Sequence, residues 1–195
     1  MRHLDRNPQL VLPLLAVLIC GGCETTAGTG ATDGDGETGA EAPADTLPTP
    51  FTAEQIREAH PEGAFRVYRV EREGEAPVVR TLRFVRSDAD GAVVESGTAD
   101  TEGRAQGPVS SSSSTWEEFR DHARFPAAGA RRERAEIQVP AGTYDCWNYV
   151  VVDPDGGVLR YWFADDEPGP PVLLESVRDG HIGYRMTLLQ VGRPD

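Results

Sequence analysis

Apolar and polar positions change rhythm several times along this chain, and each change marks an element boundary. From Val139 to Val191 the residues read VPAGTYDCWNYVVVDPDGGVLRYWFADDEPGPPVLLESVRDGHIGYRMTLLQV. Four β-rich runs are separated there by Pro140-Ala-Gly142, Asp153-Pro-Asp-Gly-Gly157, Pro168-Gly-Pro-Pro171 and Asp179-Gly180. Gly supplies positive φ and Pro presets φ at about −65°, so the stretch predicts a meander of antiparallel strands. Upstream, Ala64–Arg72, Pro77–Ser87 and Ala92–Ala99 predict three further strands, and Arg131–Val139 predicts one leading into the meander.

Two short helices interrupt the strands. Thr52 followed by Gln55 has the spacing of a capping box, with Phe51 placed to staple onto Ile56, and His60-Pro61 ends the helix. Thr115 with Glu118 repeats that logic, and Phe125-Pro126 forces extended backbone by about Arg124. The second helix is expected to lay Trp116, Phe119 and Ala123 on the sheet. Residues Glu102–Ser114, with five consecutive serines, predict a loop or a weak strand without a core contribution.

Alternation is poor where it should be clearest. In Thr143–Val152 one side carries Trp147, Tyr149 and Val151, and the other Tyr144, Cys146, Val150 and Val152. In Val158–Ala164, Trp162 opposes Leu159, Tyr161 and Phe163. Two short helices cover one face of a sheet only in part. The second apolar face must therefore curl on itself or leave a concave groove, lined in that case by Trp147, Trp162, Phe163 and Tyr184. The expected fold class is mainly β: a curved antiparallel sheet or half-barrel with two short helices, over residues 51–195.

The first 50 residues follow other rules. Arg2, His3 and Arg6 precede the apolar run Leu10–Ile19, about ten residues where a spanning helix needs about 20, which predicts a signal-peptide h-region. The run ends in Cys20-Gly21-Gly22-Cys23, which resembles the bacterial lipobox, although that pattern prefers Leu where Cys20 stands. The resemblance implies cleavage after Gly22, so that 1–22 is a lipoprotein signal peptide, and diacylation of Cys23. Acyl chains contribute about 0.8 kcal/mol per buried CH₂, so two or more would anchor the protein stably in a membrane. Glu24, standing where enteric lipoproteins kept at the inner membrane tend to carry Asp, implies the outer membrane of the cell envelope. Two readings without the resemblance stay open: a secretory signal leaving Cys23 as an ordinary thiol, and an uncleaved anchor.

Residues 23–50 read as a tether. After Cys23 come six acidic residues, no basic ones, and Leu47 as the only large apolar side chain. Such a segment cannot offset its ordering entropy, and 27 residues of flexible coil would span ~30 Å.

Composition narrows the function. The 195 residues suit one domain with accessory segments. The formal net charge of −13 argues against nucleic acid and against an anionic membrane bound through a basic surface. All 19 basic residues are Arg. Those of the first hairpin fall on both faces of their strands, which suggests solvation and cross-strand pairing rather than a patch.

Chemistry-bearing motifs are missing from the sequence. His60, His122 and His181 stand apart, without metal spacing, and no GxSxG, phosphate loop or CxxC occurs. No cofactor or metal is expected. Cys146 would be the sole unmodified thiol of the processed chain, and the expectation is a buried, inert one. Asp165-Asp166-Glu167 are adjacent carboxylates expected to point apart, and Asp153-Pro-Asp-Gly and Asp88-Ala-Asp-Gly are expected to close hairpins.

The phrases VPAGTYDCW and YWFADDEPGPPVLLE resemble a pattern of Gram-negative envelope proteins whose domains are similar to the lipoprotein carriers LolA and LolB. That resemblance covers about Val139–Leu189 and implies a curved half-barrel able to hold acyl chains. It implies no catalytic residue. The expected function is a non-enzymatic, membrane-anchored envelope lipoprotein that binds or scaffolds a partner such as another envelope protein. The alternative is a carrier or sensor of a lipid or other apolar ligand.

Overall fold

The structure, a computed structural model, describes residues 45–194, so the signal peptide, Gly22, Cys23 and most of the tether lie outside the described residues. Among the described residues the chain forms α1 (Ala53–Ala59), β1 (Phe65–Arg72), β2 (Val78–Ser87), β3 (Gly91–Asp100), β4 (Ser110–Thr115), α2 (Trp116–Asp121), β5 (Ala130–Val139), β6 (Gly142–Val152), β7 (Val158–Ala164), β8 (Leu173–Arg178) and β9 (His181–Gly192).

All nine strands join one antiparallel sheet in the order β4-β3-β2-β1-β9-β8-β7-β6-β5. Each hairpin neighbour in sequence is a neighbour in space, and among these nine strands the one long-range pairing is β1 with β9. The sheet is curved and open. Its curl brings β5 within 8 Å of β9 between Cα atoms, although three strands lie between them.

Local chemistry explains the helices and turns. Both capping boxes form: Thr52 accepts from the Gln55 amide while Gln55 reaches back, and Thr115 and Glu118 do the same. Asp179 (φ 51°) and Gly180 (φ 79°) make the tight β8–β9 turn, the all-positive pattern that Asp-Gly favours. In the β6–β7 turn the Asp153 carboxylate accepts from the Gly157 amide at 2.7 Å.

The β4–β5 connection runs from one sheet edge to the other across one face, and this crossing builds the core. Trp116 is buried and donates its indole N–H to the Asp88 carbonyl, and Phe119 reaches Phe84. Phe125, 1% exposed, packs on Tyr149 and Tyr161. Beneath them the register aligns a buried row across five strands: Val70, Met186, Leu174, Tyr161 and Tyr149. On the opposite face the paired Cys146 and Ala164 are fully buried, so β6 and β7 are apolar on both sides, as the failed alternation implied.

The serine run is a strand after all, paired along β3 from Ser96–Ser110 to Gly91–Thr115. Ser has no strong β preference, so this strand is made by its partner and by the helix cap that ends it.

Residues 45–50, assigned by composition to the tether, are held on the domain. The Leu47 amide donates to the Phe125 carbonyl, the Ala127 amide donates to that of Asp45, and the Tyr149 hydroxyl donates to that of Pro48. Backbone pairing with the crossing segment supplies what the side chains lack. Removing one such bond should cost about 1 kcal/mol. Tyr149→Phe is accordingly expected to speed hydrogen exchange at the Leu47 and Ala127 amides while leaving the capped helices unchanged, as followed by amide NMR.

Candidate functional site

The most concentrated polar chemistry sits where β1 passes under the end of α1. Arg66, 1% exposed, faces the helix-bearing side of the sheet together with Tyr68. Its Nε donates to His60 Nε2 at 3.1 Å, and its Nη2 donates to Glu167 Oε2 and to the Pro168 carbonyl, both at 3.2 Å. Arg193 holds the other oxygen of Glu167 at 3.1 Å.

The partners decide the state of His60. Nε2 faces a donor that cannot accept, so the proton sits on Nδ1 and is donated to the Ile56 carbonyl at 2.8 Å. Burial, then the Arg66 charge, lowers its pKa to about 3 against the pull of the Ile56 bond. The ring is neutral and committed at both nitrogens. Gly169 packs on it: a Cβ there would lie 2.4 Å from His60 Cε1, and its φ of 127° also favours Gly. The Tyr68 hydroxyl lies beside the Arg66 guanidinium and has its pKa raised by burial. Neither that hydroxyl nor Arg66 Nη1 has a hydrogen-bond partner of good geometry.

Arg66 and His60 are closed to solvent, and the cluster, which opens at Arg193, joins four pieces of chain: the end of α1, strand β1, the 165–171 loop and the segment after β9. Sequence reading missed it. In the sequence His60 stands as an isolated side chain and Arg66 as one Arg among several in the first hairpin. The one local signal was the apolar neighbourhood of both.

Three of the four predicted groove residues share a face of the sheet and the fourth lies on the other. Trp147 and Phe163 are paired across β6 and β7 on the helix-bearing face, and Tyr184 shares that face farther along on β9. Trp162 pairs with Asn148 and Leu173 on the other face. Phe163 is buried against Phe51 and Tyr149. Trp147 lies under two guanidinium groups, Arg132 at 4.4 Å and Arg134 at 4.6 Å from the ring centre. Tyr184 is buried below Arg72.

Other candidates are likewise engaged. Asp165 pairs with Arg134 while Glu167 turns inward to Arg66, so the adjacent carboxylates diverge. Burial first, then the carboxylates of Asp165, Asp166 and Asp145, push the Cys146 thiol up to about 12. A polar cavity of about 310 Å³ is lined by Glu71, Arg72, Glu73, His181, Ile182 and Arg185. Among the described residues no cluster of three or more His, Cys, Asp or Glu could hold a metal ion.

No family model and no curated protein matches the chain. Among solved structures the chain is similar to the Pseudomonas aeruginosa MucA/MucB complex, at 16% identity and TM-score 0.48 over 71% of this chain and 54% of that one. It is also similar to MucB in complex with MucA(peri), at 17% identity and TM-score 0.45 over 71% and 53%. The hypothetical protein CT021 from Chlamydia trachomatis follows at 8% identity and TM-score 0.41, over 73% of this chain and 92% of that one. This chain thus spans about half the length of the first two matched chains.

Two measurements check the site. A His pKa lowered on folding gives stability that is present above the unfolded value of 6.5 and is lost as pH falls from there toward about 3. Between pH 7 and pH 5, His60 should therefore account for a loss of about 2 kcal/mol. The measurement is denaturant unfolding at both pH values, with His60→Gln expected to flatten the dependence. His122, also lowered mainly by burial, adds a slope of the same sign that the variant retains. Cys146 should resist iodoacetamide in the folded protein at pH 8 and react fully in urea, as mapped by peptide mass spectrometry.

Proposed function

We propose that this chain is a lipid-anchored protein of a bacterial envelope whose β domain holds a partner protein and catalyses no reaction. The anchor reading rests on the apolar run that ends at Cys23 and on the acidic segment after it, with the outer membrane implied by Glu24. No helix among the described residues is long and apolar enough to cross a membrane. A curved sheet with helices on one face is also the shape that the resemblance to lipoprotein carriers implies.

One observation carries the partner reading. Around Phe163, where a ligand groove was expected, the helix-bearing face is packed by the chain's own Phe51 and Phe125, with Tyr149 hydrogen-bonded to Pro48. Among the described residues the unpaired sheet edges remain open to receive something. The non-enzymatic reading is supported by the commitment of the reactive groups: His60 is neutral and bonded at both nitrogens, and the Cys146 thiol is buried and protonated. An apolar-ligand carrier would need residues 45–51 and Phe125 to leave the face they cover.

Replacing Cys23 with Ser should abolish incorporation of labelled palmitate and release the protein from the membrane fraction. Undiminished label and unchanged fractionation would overturn the anchor. Native mass spectrometry of the protein extracted from membranes should show a proteinaceous adduct and no noncovalent lipid. A stoichiometric lipid would replace the partner reading by the carrier one.

A further inference from the structure

The two edges of the sheet differ in a way that bears on how a partner is held. Exposed edge strands are templates for further strand pairing, and proteins commonly guard them with charges or Pro. Strand β5 is guarded: Arg131, Arg132, Glu133, Arg134 and Glu136 fall within its ten residues. Strand β4, SSSSST, holds no charge and no Pro. Among the described residues its only strand neighbour is β3, so the other side of its backbone is unpaired.

The edge has further features of a docking strand. Ala105 bridges Ala99, and the Gln106 amide donates to the Thr98 carbonyl, so the chain already runs along β3 before β4 begins. Val109 stands at the head of β4 with 62% exposure and leans toward Gly97, 3.6 Å from where a Cβ would be. Ser111 and Ser113 are exposed, and their small side chains leave room for an incoming strand.

Charge decides what fits. Residues 88–124, which flank and include β4, carry eight acidic residues against three Arg, a net of −5. A second copy of this chain would bring the same −5 to the same edge. The chain's own residues 24–44 carry five acidic residues and no basic one. Both occupants are repelled, whereas an extended segment with flanking cationic residues is attracted.

We propose that the free edge of β4 receives an extended, cation-flanked segment of the partner protein by strand addition. This rests on the partner-binding reading and names where and by what chemistry the partner is held. Backbone hydrogen bonds would supply affinity, the exposed Val109 an apolar contact, and the acidic surroundings selection of the partner.

The test uses the full chain purified in detergent micelles and the synthetic peptide Arg-Arg-Thr-Val-Thr-Val-Thr-Arg-Arg, capped at both ends. Residue-resolved hydrogen exchange should show alternate amides of Ser110–Ser114 slowed about tenfold or more by the peptide, with those of β5 unchanged. N-methylation of alternate peptide residues, which removes the hydrogen bonds along one edge, should weaken binding by about tenfold or more. Replacing the four Arg with Glu should weaken it comparably at low salt, with the difference shrinking at 1 M salt.

Equal affinity of the N-methylated peptide, or protection away from β4, would overturn the proposal. So would outer-edge protection already present without peptide; its independence of protein concentration would identify the chain's own N-terminal residues, and its dependence a second copy. Failure here while native mass spectrometry still finds a proteinaceous adduct sinks the edge site alone and leaves partner binding standing.

Discussion

A buried guanidinium organises this domain. Arg66 lies almost wholly out of water on β1, next to the central strand β9, where burying a charge is costly unless most of its donors are met. Its partners come from a near and a distant part of the chain: His60 at the end of α1, and Glu167 and the Pro168 carbonyl about a hundred residues later. Meeting its Nε and Nη2 donors therefore fixes the end of α1 and the 165–171 loop against β1, with Nη1 left without a partner among the described residues. Arg193, sharing Glu167, draws in the segment after β9. The long-range β1–β9 pairing and this cluster reinforce each other, since both require the two ends of the domain to meet on the same strand.

The second constraint is coverage of a curved sheet with few helices. The chain solves it by crossing from β4 to β5 over one face and laying α2 and Phe125 along the way. Residues 45–51 then lie against that crossing through backbone bonds at Leu47 and Ala127. Tyr149, Tyr161 and Phe163 thereby gain aromatic neighbours from inside the chain, and the apolar surface that resembled a ligand groove becomes core. The open edges of the sheet follow from the same economy, because a crossing that covers a face does not close the sheet into a barrel.

Much of the secondary structure was legible because its causes are local. Thr52 with Gln55 and Thr115 with Glu118 are three residues apart, and the Asp-Gly turn needs only its own two residues. The poor alternation of β6 and β7 correctly implied burial on both faces. Strand β4 was less legible, since a serine run has no preference of its own and becomes a strand by lying against β3. The burial of Arg66 was only half legible: alternation along β1 puts it on the face of Tyr68 and Val70 and puts the exposed Arg69 on the other, but an Arg on an apolar face names none of the distant groups that meet it. Residue type and strand membership do not fix the face of an aromatic side chain: Trp162 points away from the face that Trp147, Phe163 and Tyr184 share.

By itself the sequence determined the strand-rich class, the two capped helices, the turns between the later strands and the acidic excess, because propensity, capping and turn chemistry act within a few neighbouring residues. Only the tertiary structure decided that β9 returns to β1, that Arg66 and His60 are sealed together, and that residues 45–50 belong to the domain. Those outcomes depend on which distant groups meet when apolar surface is buried, and no local pattern carries that information.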